Sequence, residues 1–89
     1  MRVSLRLRGT DVAGKPFEEV TFTENVSAGG FLCNCAASLA SGSTVEVFLV
    51  GGKERYVGRA RVMRKEADLS WQRYGFHLEE KMGEWVLHA

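Results

Sequence analysis

A group of short polar residues and glycines interrupts an otherwise alternating sequence at residues 25–30, Asn-Val-Ser-Ala-Gly-Gly. The Asn25 and Ser27 side chains are of the types that hydrogen-bond nearby backbone and favour turns. Two consecutive glycines, Gly29 and Gly30, carry no Cβ and so allow another molecule to approach the backbone closely. From these residues alone, the segment is predicted to be a tight bend between two strands.

Arginine is the second residue type that could recognise a ligand. Arg2 and Arg6 stand four positions apart at the start of the chain. A guanidinium pairs bidentately with a phosphate or with the O6/N7 edge of guanine, and it also stacks on a base. Six further basic residues fall within residues 53–65, opposed only by Glu54. For most of these six, a solvated outer sheet face is the expected setting.

Several other functions lack the residues that they need. Ser27 as a nucleophile would require a histidine base and an orienting acid, which the sequence does not supply, so no catalytic residue is predicted. Cys33 and Cys35 with two distant histidines do not form a metal site. A net charge of +1 argues against nucleic-acid binding driven by bulk charge.

The location of the protein is predicted from what the sequence lacks. No apolar run approaches the roughly 20 residues of a membrane span, so no membrane insertion is expected. The N-terminus has no apolar stretch of the kind found in signal peptides. Two free thiols fit a reducing compartment. The protein is therefore expected to be cytoplasmic.

The elements that must position these residues are short strands, because apolar and polar residues alternate with a period of two. Turn residues occupy 11–16, and Gly51-Gly52 predicts a tight hairpin. We expect one all-β domain over residues 1–89, closed into a barrel that leaves no exposed edge. A short helix is predicted over residues 79–88. Strands are predicted over residues 3–8, 17–23, 31–35, 44–50, 55–63 and 71–78.

The spacing Asn25-x-Ser27-x-x-Gly30, between two predicted strands, resembles the Asp/Asn-x-Ser-x-x-Gly motif of the PilZ domain family. Residues 61–64 and 74–78 are similar to the family's last two strands, where a glycine precedes an apolar-x-apolar run. The resemblance covers nearly the whole chain. It implies a six-stranded antiparallel PilZ-like β-barrel with a short C-terminal helix, in agreement with the strand pattern.

The resemblance also implies a ligand, the bacterial second messenger cyclic di-GMP, bound without catalysis and without a further cofactor. Asn25 and Ser27 would hydrogen-bond the base or the phosphate, and Gly30 would leave room for the nucleotide. Arg64 lies near the position where the family has a side chain that stacks on the ligand, so it could lie over a guanine face.

The family's Arg-x-x-x-Arg motif, which precedes the first strand, is matched incompletely. Arg2 and Arg6 satisfy its spacing, but residues 3–8 already alternate as a strand. A better alignment makes Arg2 the second arginine, so that the first would lie before Met1. Either the chain is trimmed inside the motif, or this member has lost half of it.

Three functions are therefore compared. In the first, cyclic di-GMP orders the basic N-terminal segment over the barrel and changes how a protein partner or a fused effector domain is engaged. In the second, a degenerate PilZ-like domain no longer binds nucleotide and acts through protein–protein contacts. The third, an unrelated barrel that binds single-stranded nucleic acid, needs exposed aromatics interleaved with basic residues, and residues 53–65 offer only Tyr56.

Overall fold

The computed structural model describes residues 2–67 and 72–81. Within these ranges the strands pair antiparallel and close into a barrel in the order β1-β2-β3-β6-β5-β4. The predicted all-β, six-stranded antiparallel barrel is confirmed. Its strands are β1 (Ser4–Thr10), β2 (Pro16–Ser27), β3 (Gly30–Asn34), β4 (Thr44–Leu49), β5 (Arg55–Ala67) and β6 (Gln72–Lys81).

The prediction of a helix over residues 79–88 is wrong for its first residues. Glu79 and Glu80 belong to β6, which runs to Lys81 and pairs with β5 as far as Gly58. The polar pair therefore continues the last strand, because β5 extends far enough to hydrogen-bond it. Residues 82–88, the remainder of the predicted helix, lie outside the described residues.

The core fills the barrel with the inward side chains of the alternating strands. In β1, Leu5 and Leu7 are fully buried, whereas Arg8 is exposed. Cys33 and Cys35 are both buried and unpaired with each other, as their shared strand face predicts. Burial is the main cause that raises the pKa of the Cys33 thiol to about 12, so the thiol stays protonated.

Side chains of the barrel tie down the connector between β3 and β4. The Glu19 carboxylate accepts the backbone N–H groups of Ala36 (2.9 Å) and Ala37 (3.1 Å). The buried Tyr74 hydroxyl accepts the N–H of Leu39 at 3.0 Å, and the Leu39 side chain joins the core. The connector thus packs against the barrel although it contains no regular element.

The hairpin between β4 and β5 turns where the sequence predicts it. Gly51 and Gly52 have φ values of 122° and 79°, in the region that disfavours residues with a Cβ. Leu49 before the turn pairs with Arg55 after it.

Register shifts occur in the β2–β3, β4–β5 and β5–β6 pairings, and two of them decide where the polar side chains discussed below point. One lies between Thr23 and Asn25 in the β2–β3 pairing, and the other between Val62 and Arg64 in the β5–β6 pairing. Each is a β-bulge, in which one extra residue lets two successive side chains face the same way. Residues 25–30 are therefore not one bend, since β2 continues to Ser27 and only residues 28 and 29 form the turn.

Candidate ligand-binding groove

The β2 bulge turns the motif side chains outward. Thr23, just before the bulge, is fully buried, and its hydroxyl accepts the Val3 N–H at 2.8 Å. Glu24 and Asn25 are then both exposed, Val26 is half-buried, and Ser27 is exposed again. Without the extra residue, strict alternation from Thr23 would direct Asn25 into the core.

The bulge in β5 likewise turns side chains outward, on the same face of the sheet. Val62 is buried, while Met63 and Arg64 are both exposed. The Arg64 side chain then lies across Gly75 of β6, where a Cβ would stand 3.2 Å from the arginine Cγ and 3.3 Å from its Nε. A glycine at this position lets the arginine lie flat against the strand.

Cross-strand pairing joins the two bulges through β3 and β6. One row runs from Asn25 across Leu32 and Gly75 to Arg64. The next row runs from Ser27 across Gly30 and His77 to Arg61. Because neighbouring strands lie about 4.8 Å apart, each row is about 14 Å wide.

Apart from Arg61, the residues of these rows form the floor and walls of an open groove of about 440 Å³ on the outer face of the barrel. The structure brings together four of the sequence-predicted residues in it, namely Asn25, Ser27, Gly30 and Arg64. It is also lined by Val26, Gly29, Phe31, Leu32, Met63, Gly75, Phe76 and His77.

Gly30 is constrained by the neighbouring strand as well as by any ligand. A Cβ built on it would lie 2.1 Å from the Phe76 carbonyl oxygen, which is far inside van der Waals contact. Gly29, beside it, would place a Cβ 3.9 Å from the His77 ring, an ordinary distance. Gly30, the glycine of the motif, is thus needed for the close approach of β3 and β6.

The groove favours anions. Among the described residues that line it, none is aspartate or glutamate. Arg64 takes part in no ion pair within the described ranges. Its strand neighbour Arg61, in contrast, pairs with Glu79 at 2.8 Å and thereby holds the pKa of that carboxyl below its usual range. Arg64 is therefore available to an anionic ligand.

Arg2 and Arg6 lie outside the groove. The Arg2 guanidinium stands over the Phe22 ring, 5.2 Å from its centroid. Arg6 faces outward from β1 and pairs with Glu54 at 2.7 Å and with Glu18 at 3.8 Å. The antiparallel pairing of β1 with β2 places Arg2 at the end of β1 that faces the motif, whereas Arg6 is held further along the strand.

Comparison with known families identifies the chain. The PilZ domain model matches residues 1–86, nearly the whole length. The chain belongs to the PilZ domain family. No curated protein and no solved structure matched it in the corresponding comparisons. Within residues 2–67 and 72–81 of this PilZ domain, no helix is long and apolar enough to cross a membrane.

Sequence reasoning did not assign several of the residues that line the groove of this PilZ domain, among them Leu32, Met63 and His77. Leu32 and Met63 read as ordinary strand residues, and His77 as a histidine without an acidic partner. Strand alternation around the buried Phe76 is the signal that could have placed His77 on the outer face. Alternation alone does not place Met63 beside Arg64, because both face outward only through the bulge.

Proposed function

We propose that this PilZ domain is a non-catalytic receptor that binds cyclic di-GMP in the groove between the two bulges. One observation carries the proposal: facing bulges turn Asn25 and Ser27 on one wall and Arg64 on the other toward the same surface, whose described lining contains no carboxylate. Membership of the PilZ family supports this choice of ligand.

Each wall supplies a different part of the recognition. Arg64 stacks on a guanine face or pairs with a phosphate, because a guanidinium can do both. Asn25 and Ser27 hydrogen-bond the base or the phosphate from the opposite wall. Leu32 and Met63 provide apolar surface for the planar base between them. Gly30 keeps this floor flat, because no side chain rises from it.

Arg2 completes the site from the start of β1. It takes part in no ion pair within the described residues. Its contact with the exposed Phe22 ring is weak, so Arg2 can leave the ring to bind a phosphate. Ligand binding draws Arg2 and the N-terminal segment toward the groove. The resulting change in surface is read by a protein partner or a fused effector domain in the cytoplasm.

Two observations favour binding over catalysis. The Ser27 hydroxyl donates to the carbonyl oxygen of Gly30 (3.4 Å), so it is not oriented by a base. Within the described residues no three His, Cys, Asp or Glu side chains cluster as a metal site would require. We therefore assign neither a nucleophile nor a metal to the groove.

Calorimetric titration with cyclic di-GMP tests the proposal, with cyclic GMP as the control ligand that carries one guanine and one phosphodiester. Asn25→Ala and Ser27→Ala should each weaken binding of the dinucleotide, at about 1.5–3 kcal/mol for each contact to a charged group. Asn34→Ala and Ser41→Ala are matched controls, since Asn34 ends β3 outside the groove and Ser41 is exposed in a turn.

Saturable heat with the dinucleotide, reduced by the groove variants and unchanged in the controls, supports a receptor. Absence of heat at high micromolar ligand rejects it for this chain. Equal losses in Asn25→Ala and Asn34→Ala would reject the groove as the site.

A degenerate PilZ-like domain that acts through protein contacts is the alternative, and the ion pairs of Arg6 favour it. Both carboxylates that hold Arg6 would have to release it before it could serve a nucleotide. If titration gives no heat, this function replaces the receptor. The exposed Phe22 and Val20 of β2 are then the first residues to substitute in a partner-binding assay.

A further inference from the structure

One arginine outside the groove holds carboxylates from both of the bulged strands. Arg73 lies on β6, where it pairs with Glu66 of β5, and its Nη2 donates to the Glu66 carboxylate at 3.1 Å. Its Nη1 reaches past β3 to both carboxylate oxygens of Glu24 on β2, at 3.2 and 3.4 Å. The row from Glu24 to Glu66 therefore crosses four strands on the outer face, next to the row that joins the two bulges.

The two carboxylates belong to residues that flank the candidate ligand contacts. Glu24 immediately precedes Asn25 and, like it, is exposed at the β2 bulge. Glu66 follows Arg64 by two positions, so the two side chains leave the same face of β5 about 6.6 Å apart. Neither carboxylate is among the described residues that line the groove. Some contact must therefore keep both of them away from it.

Glu66 is the nearer competitor for the guanidinium of Arg64. Two long side chains of opposite charge can meet across this separation. The Glu66 side chain is 43% exposed even in its ion pair with Arg73, so it could turn toward Arg64 without leaving a buried site. Its hydrogen bond is also the largest cause that raises the pKa of Arg73, ahead of the charge of Glu24. The pairing with Arg73 thus withholds Glu66 from Arg64.

We infer that Arg73 is a positioning residue of the groove: by engaging Glu24 and Glu66, it keeps both carboxylates away from Arg64 and from an anionic ligand. The inference rests on the proposed function for the identity of that ligand, whereas the competition for Glu66 exists without any ligand. At the other end of the groove, Arg61 holds the Glu79 carboxylate in the same way.

Calorimetry with cyclic di-GMP measures the consequence for binding. Arg73→Ala should weaken affinity about fivefold, because an exposed ion pair between Arg64 and Glu66 would have to break before the arginine could bind the ligand. Adding Glu66→Gln should recover most of this loss, because the competing carboxylate is then gone. Arg59→Ala is the matched control, since Arg59 is an exposed arginine that pairs with Glu80 across the same two strands, and neither lines the groove.

Unchanged affinity in Arg73→Ala overturns the inference. So does a double variant that binds as weakly as Arg73→Ala, because removing Glu66 would not repair a merely structural loss. Equal weakening by Arg73→Ala and Arg59→Ala overturns it as well, since the effect would then be one of general charge.

A measurement without ligand separates this inference from the proposed function. The side-chain Nε–H signal of Arg64 in NMR spectra should shift in Arg73→Ala, as the guanidinium pairs with Glu66, and should return when Glu66→Gln is added. A signal that stays in place in Arg73→Ala overturns the inference, whether or not cyclic di-GMP binds. If the unsubstituted protein gives no heat but the signal shifts and returns, the ligand proposal fails and the role of Arg73 stands.

Discussion

The outer face around β1 and the groove face both carry outward arginines. The two faces differ in whether those arginines have partners within the fold. β1 pairs with β2 and β4 without a register shift. On that face, Arg6 meets Glu18 and Glu54, and Arg8 stands over the Phe48 ring at 5.0 Å.

The groove face is bounded by the two bulged strands, and there Arg64 has no carboxylate partner among the described residues. Regular pairing brings Glu18 diagonally beside Arg6, and Glu54 of the β4–β5 turn adds a second carboxylate, so the arginine is satisfied within the fold. A bulge places two successive side chains on one face and leaves a polar group for an external partner. At these two bulges, irregular pairing rather than residue type sets the binding surface, whereas at the register shift beside Arg59 the arginine pairs with Glu80.

Substitution of Gly30 by alanine should break the groove face most severely. The added Cβ would meet the Phe76 carbonyl oxygen at 2.1 Å, and neither backbone can yield without separating β3 from β6. We expect a loss of about 3 kcal/mol in the free energy of unfolding, measured by urea denaturation. Gly29→Ala is the matched control, with its nearest neighbour at 3.9 Å. Equal stability of the two variants would contradict this account of the motif.

Substituting Arg64 and Arg6 separately by alanine tests the comparison of the two faces directly. Arg64→Ala should lower cyclic di-GMP affinity by about tenfold to a hundredfold, through loss of a contact worth about 1.5–3 kcal/mol, and leave stability unchanged. Arg6→Ala should leave affinity unchanged and lower stability by about 0.2–1 kcal/mol, as for exposed ion pairs. Calorimetry and urea denaturation of both variants give the four values. A loss of affinity in Arg6→Ala alone would reverse the assignment.

Gly75→Ala should have a smaller effect on the same face. Its Cβ would stand 3.2 Å from the Arg64 Cγ, but that side chain is flexible and can move aside. We expect about a threefold loss of cyclic di-GMP affinity with little change in stability, because tight contacts with mobile side-chain ends cost under about 1 kcal/mol. Combining Gly75→Ala with Arg64→Ala provides the check: if the glycine acts through the arginine, the double variant binds no more weakly than Arg64→Ala.

The strands were predictable because each carries its own evidence. Alternation at Leu5 and Leu7 and the shared face of Cys33 and Cys35 are local patterns, and burial follows them. The turn at Gly51-Gly52 is likewise predictable from two adjacent residues, both of which adopt positive φ values. The barrel could therefore be inferred from strand count and the need to remove edges.

The groove could be predicted only in part, because it depends on register between strands distant in sequence. The motif identified Asn25 and Ser27 but not that β2 continues through them. The outward position of Met63 depends on the pairing of β5 with β6, which no local pattern encodes. The literal match of Arg6 was similarly uninformative, since the carboxylates that hold it come from β2 and the β4–β5 turn.

The smallest expected effect separates Arg61 from Arg64 without any ligand. Arg61 hydrogen-bonds Glu79 and lowers the pKa of that carboxyl, so the ion pair stabilises the fold at neutral pH. This contribution is lost as the pH falls through the depressed pKa, because protonation then neutralises the carboxylate. In Arg61→Ala the pKa of Glu79 should rise toward its ordinary range, though not fully, since Arg59 and His77 also lower it.

Carbon-detected NMR titration of the Glu79 carboxyl measures this shift, with Arg64→Ala as the matched loss of one charge on the same strand. We expect Arg64→Ala to leave the pKa of Glu79 in place, because the arginine lies over Gly75 on the other side of the bulge. Equal rises in both variants would show that Glu79 responds to the general field of β5. Arg64 would then be partly engaged by the fold, and the contrast between the two faces would be one of degree.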